Sequence, residues 1–285
     1  MINYPALCSG RTTLCTSITL AALSITPQVY GKTGFSEEVI VTASRTEKPL
    51  GTIPNTVTVI NADELAKQIT ISHDISTILG NMVPSFSPAR QKLSSAGESL
   101  RGRKPLYLID GVPQSNPLRE GGRDGHTIDP IMIERVEVIH GANAIHGLGA
   151  AGGIINLITK RPTQETVHSL RIGIEAQDAD VSESLGYNAS YTLSGSVDRF
   201  DAIASFGHRE TGVGYDANDE VIGFDNTQGD TMDSASYDAF LKLGYNLDQQ
   251  RIELTYNHYR IENHNEWLGV NGNLAAGIPT TAIKA

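Results

Sequence analysis

The sequence predicts an α+β domain followed by a series of long antiparallel β-strands. Residues 55–162 combine short apolar segments with residues that cap helices and form tight turns. After Pro162, apolar and polar side chains alternate in five segments of roughly ten residues, the length of a tilted membrane-spanning strand. Two tight turns and one long polar loop connect these segments. These observations predict two regions that differ in architecture.

Residues 1–31 are typical of a secretory signal. The uncharged stretch at 12–31 is rich in Ser and Thr and contains Pro27. A helix that spans a membrane needs about 20 mostly apolar residues, so this stretch does not fit one. Arg11 supplies a positive flank and residues 14–25 an apolar core, which predicts export with cleavage between residues 22 and 31.

Composition excludes several classes of function. The chain has 285 residues, enough for one or two domains with a substantial core. Its net charge of −10 argues against a nucleic-acid partner, because a phosphate backbone requires a basic face. Both cysteines, Cys8 and Cys15, lie in the predicted signal, so the mature chain would contain no disulfide and no thiol chemistry.

The first region contains predicted strands and two short helices. The strands are expected at residues 56–60, 106–109, 133–139 and 154–159, with an Asp110-Gly111 turn after the second. One helix is expected at residues 64–68, with Asn61 or Asp63 as its N-cap. A second helix is expected to be capped by Ser72 and to end at Gly80.

The second region alternates too regularly to be a loop. Its apolar positions include Leu170, Ile172 and Ile174; Tyr187, Ala189, Tyr191 and Leu193; Phe200, Ala202, Ala204 and Phe206; Ala239, Leu241, Leu243 and Tyr245; and Ile252, Leu254 and Tyr256. Residues 196–199 and 247–250 are tight turns, and residues 211–235 form a long loop, as in membrane β-barrels. The connection at 178–183 is shorter than that pattern expects. A soluble β-sandwich shows the same alternation and remains an equal alternative on this pattern alone.

Four motifs, in a fixed order, resemble those of TonB-dependent outer-membrane receptors of the siderophore type. Glu38-Val39-Ile40-Val41-Thr42-Ala43 is similar to a TonB box, and residues 52–60 resemble the opening of the plug domain. Leu100-Arg101-Gly102-Arg103 with Tyr107-Leu108-Ile109-Asp110-Gly111-Val112-Pro113 resembles the plug's central elements. Residues 133–141, 147, 152–156 and 159–162 resemble its closing block.

The resemblance implies an α+β plug domain followed by the first strands of an incomplete antiparallel transmembrane β-barrel. The expected divisions are a signal peptide at 1–31, a leader with the TonB box at 32–52, a plug domain at 53–163 and about five barrel strands at 164–285. The family's barrels have some 22 strands, so the chain is expected to be truncated or the product of a split gene. Where the family usually has Arg-Gly-Pro this chain has His140-Gly141-Ala142, and where it commonly has Tyr this chain has His146. The first departure casts doubt on any plug–barrel ion pair that would use the missing arginine.

The resemblance also implies site residues. TonB would pair, strand to strand, with Glu38, Val39, Ile40, Val41, Thr42 and Ala43. Ion pairs between plug and barrel would use Arg101, Glu134, Arg135 and Glu137, with Arg101 and Arg135 facing carboxylates beyond residue 285. The ligand would meet Arg90, Gln91, Arg119 and Arg123 in two surface loops.

The implied function is import of a metal chelate, most simply a ferric siderophore, across the outer membrane of a Gram-negative cell. Its partners would be TonB, the extracellular chelate, outer-membrane lipid and, if the gene is split, the missing barrel strands. No cofactor, resident metal or catalytic residue is expected, and the chain is not expected to be an enzyme. Alternatives are import of cobalamin, haem or carbohydrate, and a truncated, non-transporting interaction protein that contains a plug. Residues 147–152 match G-x-G-x-x-G, but a β-type run follows instead of the helix that a dinucleotide site needs.

Overall fold

The computed structural model describes residues 40–41, 48–49, 55–89, 92–114, 122–223, 231–264, 266–270 and 281–284. The first region, residues 55–162, is called the mixed domain.

Capping residues set the bounds of the helices in the mixed domain. Helix α1 spans Ala62–Ile69, and Asn61 caps it in a capping box with Glu64. Helix α2 spans Ile75–Met82. None of the helices in the described residues is long and apolar enough to cross a membrane.

The predicted bounds of α2 were wrong at both ends. The Asp74 carboxylate, rather than Ser72, caps the helix by accepting hydrogen bonds from the backbone N–H groups of Ser76 and Thr77. A carboxylate supplies two acceptors at an N-terminus, which favours it over a hydroxyl. The helix also continues past Gly80 to Met82, because Gly80 keeps helical geometry and packs beside Pro88.

Short strands precede and accompany the sheet of the mixed domain. In chain order they are β1 (Ile40–Val41), β2 (Lys48–Pro49), β3 (Val57–Ile60), β4 (Phe86–Ser87), β5 (Ser99–Leu100), β6 (Pro105–Ile109), β7 (Val112–Pro113), β8 (Ile133–His140) and β9 (Gly153–Thr159). The central sheet has the order β3-β8-β9-β6-β7, in which only β6 and β9 run parallel. A 3-10 turn at Pro130–Met132 leads into β8.

Two pairs of residues with positive φ form the tight turns of this domain. Asp110 and Gly111 have φ values of 46° and 81° and join β6 to β7, as expected for a two-residue hairpin turn. Arg101 and Gly102, with φ values of 55° and 72°, reverse the chain after β5, where Leu100 and Arg103 exchange backbone hydrogen bonds. The core of the domain is apolar and almost fully inaccessible to solvent; it includes Ile60, Leu65, Ile78, Leu79, Leu100, Tyr107, Val136, Val138, Ile155 and Leu157.

After the mixed domain the chain runs back and forth in one antiparallel sheet, which we call the meander. Its strands are β10 (Val167–Glu175), β11 (Gly186–Val197), β12 (Phe200–Thr211), β13 (Ser234–Asn246) and β14 (Arg251–Asn263), and each pairs with its sequence neighbours. A four-residue helix, α3 (Val181–Ser184), occupies the first connection. A small hairpin of β15 (Trp267–Val270) and β16 (Thr281–Lys284) follows.

The meander has the opposite polarity to a water-soluble sheet. Its apolar face is open to the surroundings: Ile172 and Ile174 are 73% and 80% exposed, and Phe206 and Leu254 are similar. The other face carries small polar residues, among them the buried Ser190, Ser194 and Ser205, and the mixed domain packs against it. A β-sandwich would bury the apolar face against a second sheet. This arrangement therefore excludes the sandwich alternative.

Candidate functional site

The contact between the mixed domain and the polar face of β12–β14 is the candidate site, and we call it the seam. Ile203 on β12 and Phe240 on β13 are almost completely buried and belong to the same apolar cluster as the core of the mixed domain. Beside them, the Asn257 side chain donates a 2.7 Å hydrogen bond to the carbonyl oxygen of Thr127. The seam therefore has an apolar centre, and polar contacts lie toward each end.

At the end of the seam near the long loop, a cavity of about 380 Å³ separates the start of α2 from the meander. Its lining includes His73, Asp74 and His126 from the mixed domain and Arg209 and Tyr259 from the meander. Burial, reinforced by the charges of Arg209 and Arg171, lowers the pKa of His73 to about 4. His73 is therefore neutral near pH 7, so Arg209 supplies positive charge to this cavity beside the acidic side chains of Asp74 and Glu175.

Arg123, predicted to contact ligand, binds the meander at the same end of the seam. Its guanidinium donates to the carbonyl oxygen of Ile261 at 3.1 Å and to Oδ1 of Asn263 at 3.5 Å. Both acceptors lie at the end of β14 near the long loop. A role for Arg123 in binding ligand stays a prediction. In this conformation the side chain ties the mixed domain to the meander.

At the opposite end of the seam, near the tight turns, the side chain of Lys242 reaches from β13 into the mixed domain. Its ammonium lies 3.1 Å from Oδ2 of Asp110, 2.5 Å from Oγ1 of Thr159 and 3.6 Å from Oε1 of Glu253. Lys242 is 3% exposed. A cavity of about 500 Å³ adjoins this contact, and Arg135, Arg161 and Arg251 also line it.

The four residues predicted to pair with a barrel lie on or near the sheet of the mixed domain. Arg135 donates two hydrogen bonds, of 3.1 and 2.9 Å, to Oε1 of Glu137, two residues along on β8. Glu137 is completely buried and also accepts from the amide of Asn156. Arg101 is exposed in its tight turn, and Glu134 is half-buried in a cavity lined also by residues of β10 and β11. The structure joins Arg135 to Glu137, and pairing of any of the four with further barrel strands stays a prediction.

His140 makes internal contacts at the position where the resemblance leads one to expect arginine. Its Nε2 lies 2.9 Å from Oγ1 of Thr58 and its Nδ1 lies 3.3 Å from Oγ of Ser85. Burial, with the nearby charge of Arg101, lowers the pKa of this imidazole. His140 therefore links β8 to β3 as a neutral hydrogen-bonding group.

Several predicted site residues lie outside the described part of the chain. These are Arg90, Gln91 and Arg119 among the ligand candidates, and Glu38, Val39, Thr42 and Ala43 in the predicted TonB segment. Within that segment, Ile40 and Val41 form β1, which pairs antiparallel with β2. The extended conformation predicted for these two residues is therefore present.

Sequence reasoning missed the contacts that Asp110 and Lys242 make across the seam. The sequence places Asp110 only in a turn, although a carboxylate at positive φ beside glycine often binds neighbouring backbone groups. Lys242 is the one lysine of β13 and alternates with the apolar Leu241 and Leu243, and this was the available signal. Its partner lies 132 positions away along the chain, so no local pattern could identify it.

Comparison with known proteins identifies the mixed domain. Residues 49–154 match the model of the TonB-dependent Receptor Plug Domain family. The mixed domain is a TonB-dependent receptor plug. The Rhizobactin receptor of Rhizobium meliloti (strain 1021) is 35% identical over 218 residues, which cover 75% of this chain and 29% of that protein. The Ferric aerobactin receptor of Klebsiella pneumoniae is 28% identical over 82% of this chain and 32% of its own length.

The plug and the meander together share the fold of solved receptors. The siderophore receptor PirA from Acinetobacter baumannii superposes with a TM-score of 0.60 at 22% identity, over 80% of this chain and 34% of that one. The architecture is thus a receptor plug followed by antiparallel strands of a barrel wall, with the barrel incomplete in this chain. The chain spans about a third of the length of the curated relatives it matches.

Proposed function

We propose that this chain is the N-terminal part of an outer-membrane receptor that imports a ferric siderophore with energy delivered through TonB. The observation that carries the proposal is the reversed polarity of the meander, with the plug seated against its polar face. A sheet with this polarity suits lipid on one side and a polar lumen on the other. A plug in such a lumen blocks passage until it is moved.

The parts of the chain take their roles from this proposal. Residues 1–31 direct export, residues 32–52 present the TonB box, residues 53–163 form the plug, and residues 164–285 supply the first strands of the wall. The outer membrane has no energy source of its own, so the plug must be moved from the periplasmic side. An extended, β-branched segment such as Val39-Ile40-Val41 can add to a sheet edge of TonB through backbone hydrogen bonds.

The proposed substrate class follows from the relatives and from the seam. Relatives are named for rhizobactin and aerobactin, which supports a ferric siderophore as the solute. Arg209, which lines the cavity at the long-loop end of the seam with Asp74 and Glu175, would offer a positive charge to an anionic chelate. A further relative is named Hemin receptor, so haem is the second candidate.

Iron uptake in defined hosts tests this proposal. The complete reading frame that contains this chain is expressed in an iron-starved Gram-negative strain without its own siderophore receptors, with and without TonB. Ferric rhizobactin, ferric aerobactin, ferric enterobactin and hemin are supplied separately. We expect radiolabelled iron to enter from one of the siderophores, and only when TonB is present. If the protein reaches the outer membrane and no chelate supports uptake, transport is refuted, whereas uptake from hemin alone selects the second candidate.

A further inference from the structure

An ion pair at the tight-turn end of the seam, between the buried ammonium of Lys242 and the partly exposed carboxylate of Asp110, connects three separate parts of the molecule. The Asp110 carboxylate accepts hydrogen bonds from the backbone N–H of Thr159 at 2.9 Å and from its hydroxyl at 2.6 Å. The ammonium of Lys242 approaches both Asp110 and that hydroxyl. One carboxylate thus joins the β6–β7 turn, the last residue of β9 and strand β13 of the meander.

The turn is built so that this carboxylate faces the meander. Asp110 and Gly111 take positive φ values, and the backbone N–H of Gly111 donates a 2.9 Å hydrogen bond to Oδ1 of Asn156. Asn156 is completely buried in the neighbouring strand β9. The position of Asp110 is therefore fixed from within the plug, and Lys242 meets a preformed acceptor.

We propose that Lys242 is a positioning residue that holds the plug closed, and that transfer of its ammonium from Asp110 to Glu253 accompanies release of the plug. This inference rests on the proposed transport function. The charges are arranged in the opposite way to the ion pairs that the family resemblance implied. Here the wall supplies the cation and the plug supplies the carboxylate.

The arrangement allows the pair to open without leaving an isolated buried charge. Such a charge is strongly unfavourable, and ordinary buried ion pairs are hard to break for that reason. Here Glu253 lies 3.6 Å from the ammonium on the adjacent strand of the meander, so it remains beside Lys242 when the plug leaves. Asp110 keeps both donors from Thr159. The cavity of about 500 Å³ next to the pair provides space for water and for the movement of the lysine.

Amide hydrogen exchange on the full chain in detergent micelles tests the inference without TonB or siderophore. The readout is the exchange rate of amides in the β6–β7 turn and β9, with amides of β11 as the internal reference for an intact meander. We expect Lys242→Met to speed exchange in the turn by at least about tenfold, since it removes the buried ammonium that links Asp110 and Thr159 to β13. Lys242→Arg should restore most of the protection.

Glu253→Gln separates the proposed transfer from a purely static network. If Glu253 receives the lysine when the plug opens, this variant destabilises the open state, so exchange in the turn should become slower or stay unchanged. In a static network it would loosen the turn as Lys242→Met does. Arg199→Met is the matched control, because Arg199 pairs with Asp248 at an exposed turn of the same sheet.

Two results would overturn the inference. One is exchange in Lys242→Met within twofold of the unmodified chain while β11 stays protected. The other is a Glu253→Gln variant that loosens the turn as much as Lys242→Met. If Lys242→Met also unfolds the meander, Asp110→Asn probes the same pair from the plug side, and unchanged protection there counts equally against it. Because no solute is used, failure here leaves the uptake proposal standing, and failure of uptake leaves this result standing.

Discussion

The Tyr107 hydroxyl donates a 3.0 Å hydrogen bond to Oε2 of Glu98 in the interior of the plug. Both residues are buried, with 1% and 8% of their surface exposed. Burial, reinforced by the charges of Asp74 and Asp124, raises the pKa of Glu98 to about 7, although hydrogen bonds from Ser76 and Tyr107 oppose this. The plug therefore contains a carboxyl group that titrates close to neutral pH.

This carboxyl group should make the stability of the plug depend on pH. The folded plug binds the proton on Glu98 more tightly than the unfolded chain does. The stabilisation of the folded plug by this proton is therefore complete below about pH 4.5 and is lost as the pH rises to about 7. The predicted loss in the free energy of unfolding is about 3 kcal/mol. Glu98→Gln should remove this slope, whereas Glu165→Gln, at an exposed position, should keep it. The measurement is urea unfolding of the chain in micelles at several pH values, with amide exchange in β6 as the signal. If the free energy of unfolding of Glu98→Gln depends on pH as strongly as that of the unmodified chain, Glu98 is not the titrating group.

A methyl group at Gly153 should disrupt the pairing of β8 with β9. A Cβ atom there would overlap the carbonyl oxygen of Ile139, and the φ of 137° is already unfavourable for other residues. Gly153→Ala should therefore destabilise the plug by several times the roughly 1 kcal/mol expected from backbone conformation alone. Gly97→Ala is the control for conformation, since Gly97 has a φ of 87° with open space around it. Equal urea midpoints for the two variants would show that the steric overlap is relieved.

Loss of the N-cap should weaken α1. Asn61 Oδ1 accepts a 2.9 Å hydrogen bond from the backbone N–H of Glu64, and Glu64 Oε2 accepts one of 3.2 Å in return. We expect Asn61→Ala to cost about 1 kcal/mol and to speed amide exchange in the first turn of α1. Asn81→Ala removes an exposed side-chain hydrogen bond to Gln68 and should leave that turn unchanged. Similar exchange in the two variants would argue against the capping role.

Proline in the TonB segment should uncouple transport from binding. Val41→Pro removes a backbone N–H donor, which weakens addition to a sheet edge. In the complete receptor we expect uptake of the ferric siderophore to fall to the level of a host without TonB, with binding to whole cells unchanged. Val41→Ile keeps the donor and the β-branched side chain and should transport normally. Normal uptake by Val41→Pro would exclude strand pairing at this position.

Local patterns predicted most of the elements but few of the contacts between them. Alternation and turn residues placed β6, β8 and β9 within one residue of their bounds. They also located all five meander strands, but β13 and β14 extend five or more residues beyond the alternating segments toward the long loops. The cap of α2 was misplaced because Ser72 and Asp74 are both good N-cap residue types, and the two acceptors of the Asp74 carboxylate decide between them only once the first residue of the helix is known. The two-residue strands β4 and β7 have no periodicity to detect.

The candidate site was less predictable because it depends on pairs distant in sequence. Nothing local distinguishes an arginine such as Arg135, which binds a neighbour two residues away, from one such as Arg123, which reaches β14. The seam is formed by side chains of the plug and the meander that are far apart in sequence, such as Asp110 and Lys242. The order of the sequence motifs was enough to identify the plug domain. The contact between Lys242 and Asp110 could be found only from the structure.

If the chain forms part of a membrane receptor as proposed, the apolar outer face of the meander has a consequence before the protein reaches lipid. Side chains such as Ile174 and Leu170 project outward in rows, and nothing in the described chain covers them. In water, such exposed apolar side chains on different molecules associate, so the protein would aggregate. In the proposed receptor, a chaperone must therefore shield these side chains until the polypeptide reaches the outer membrane, and purification requires detergent from the first step.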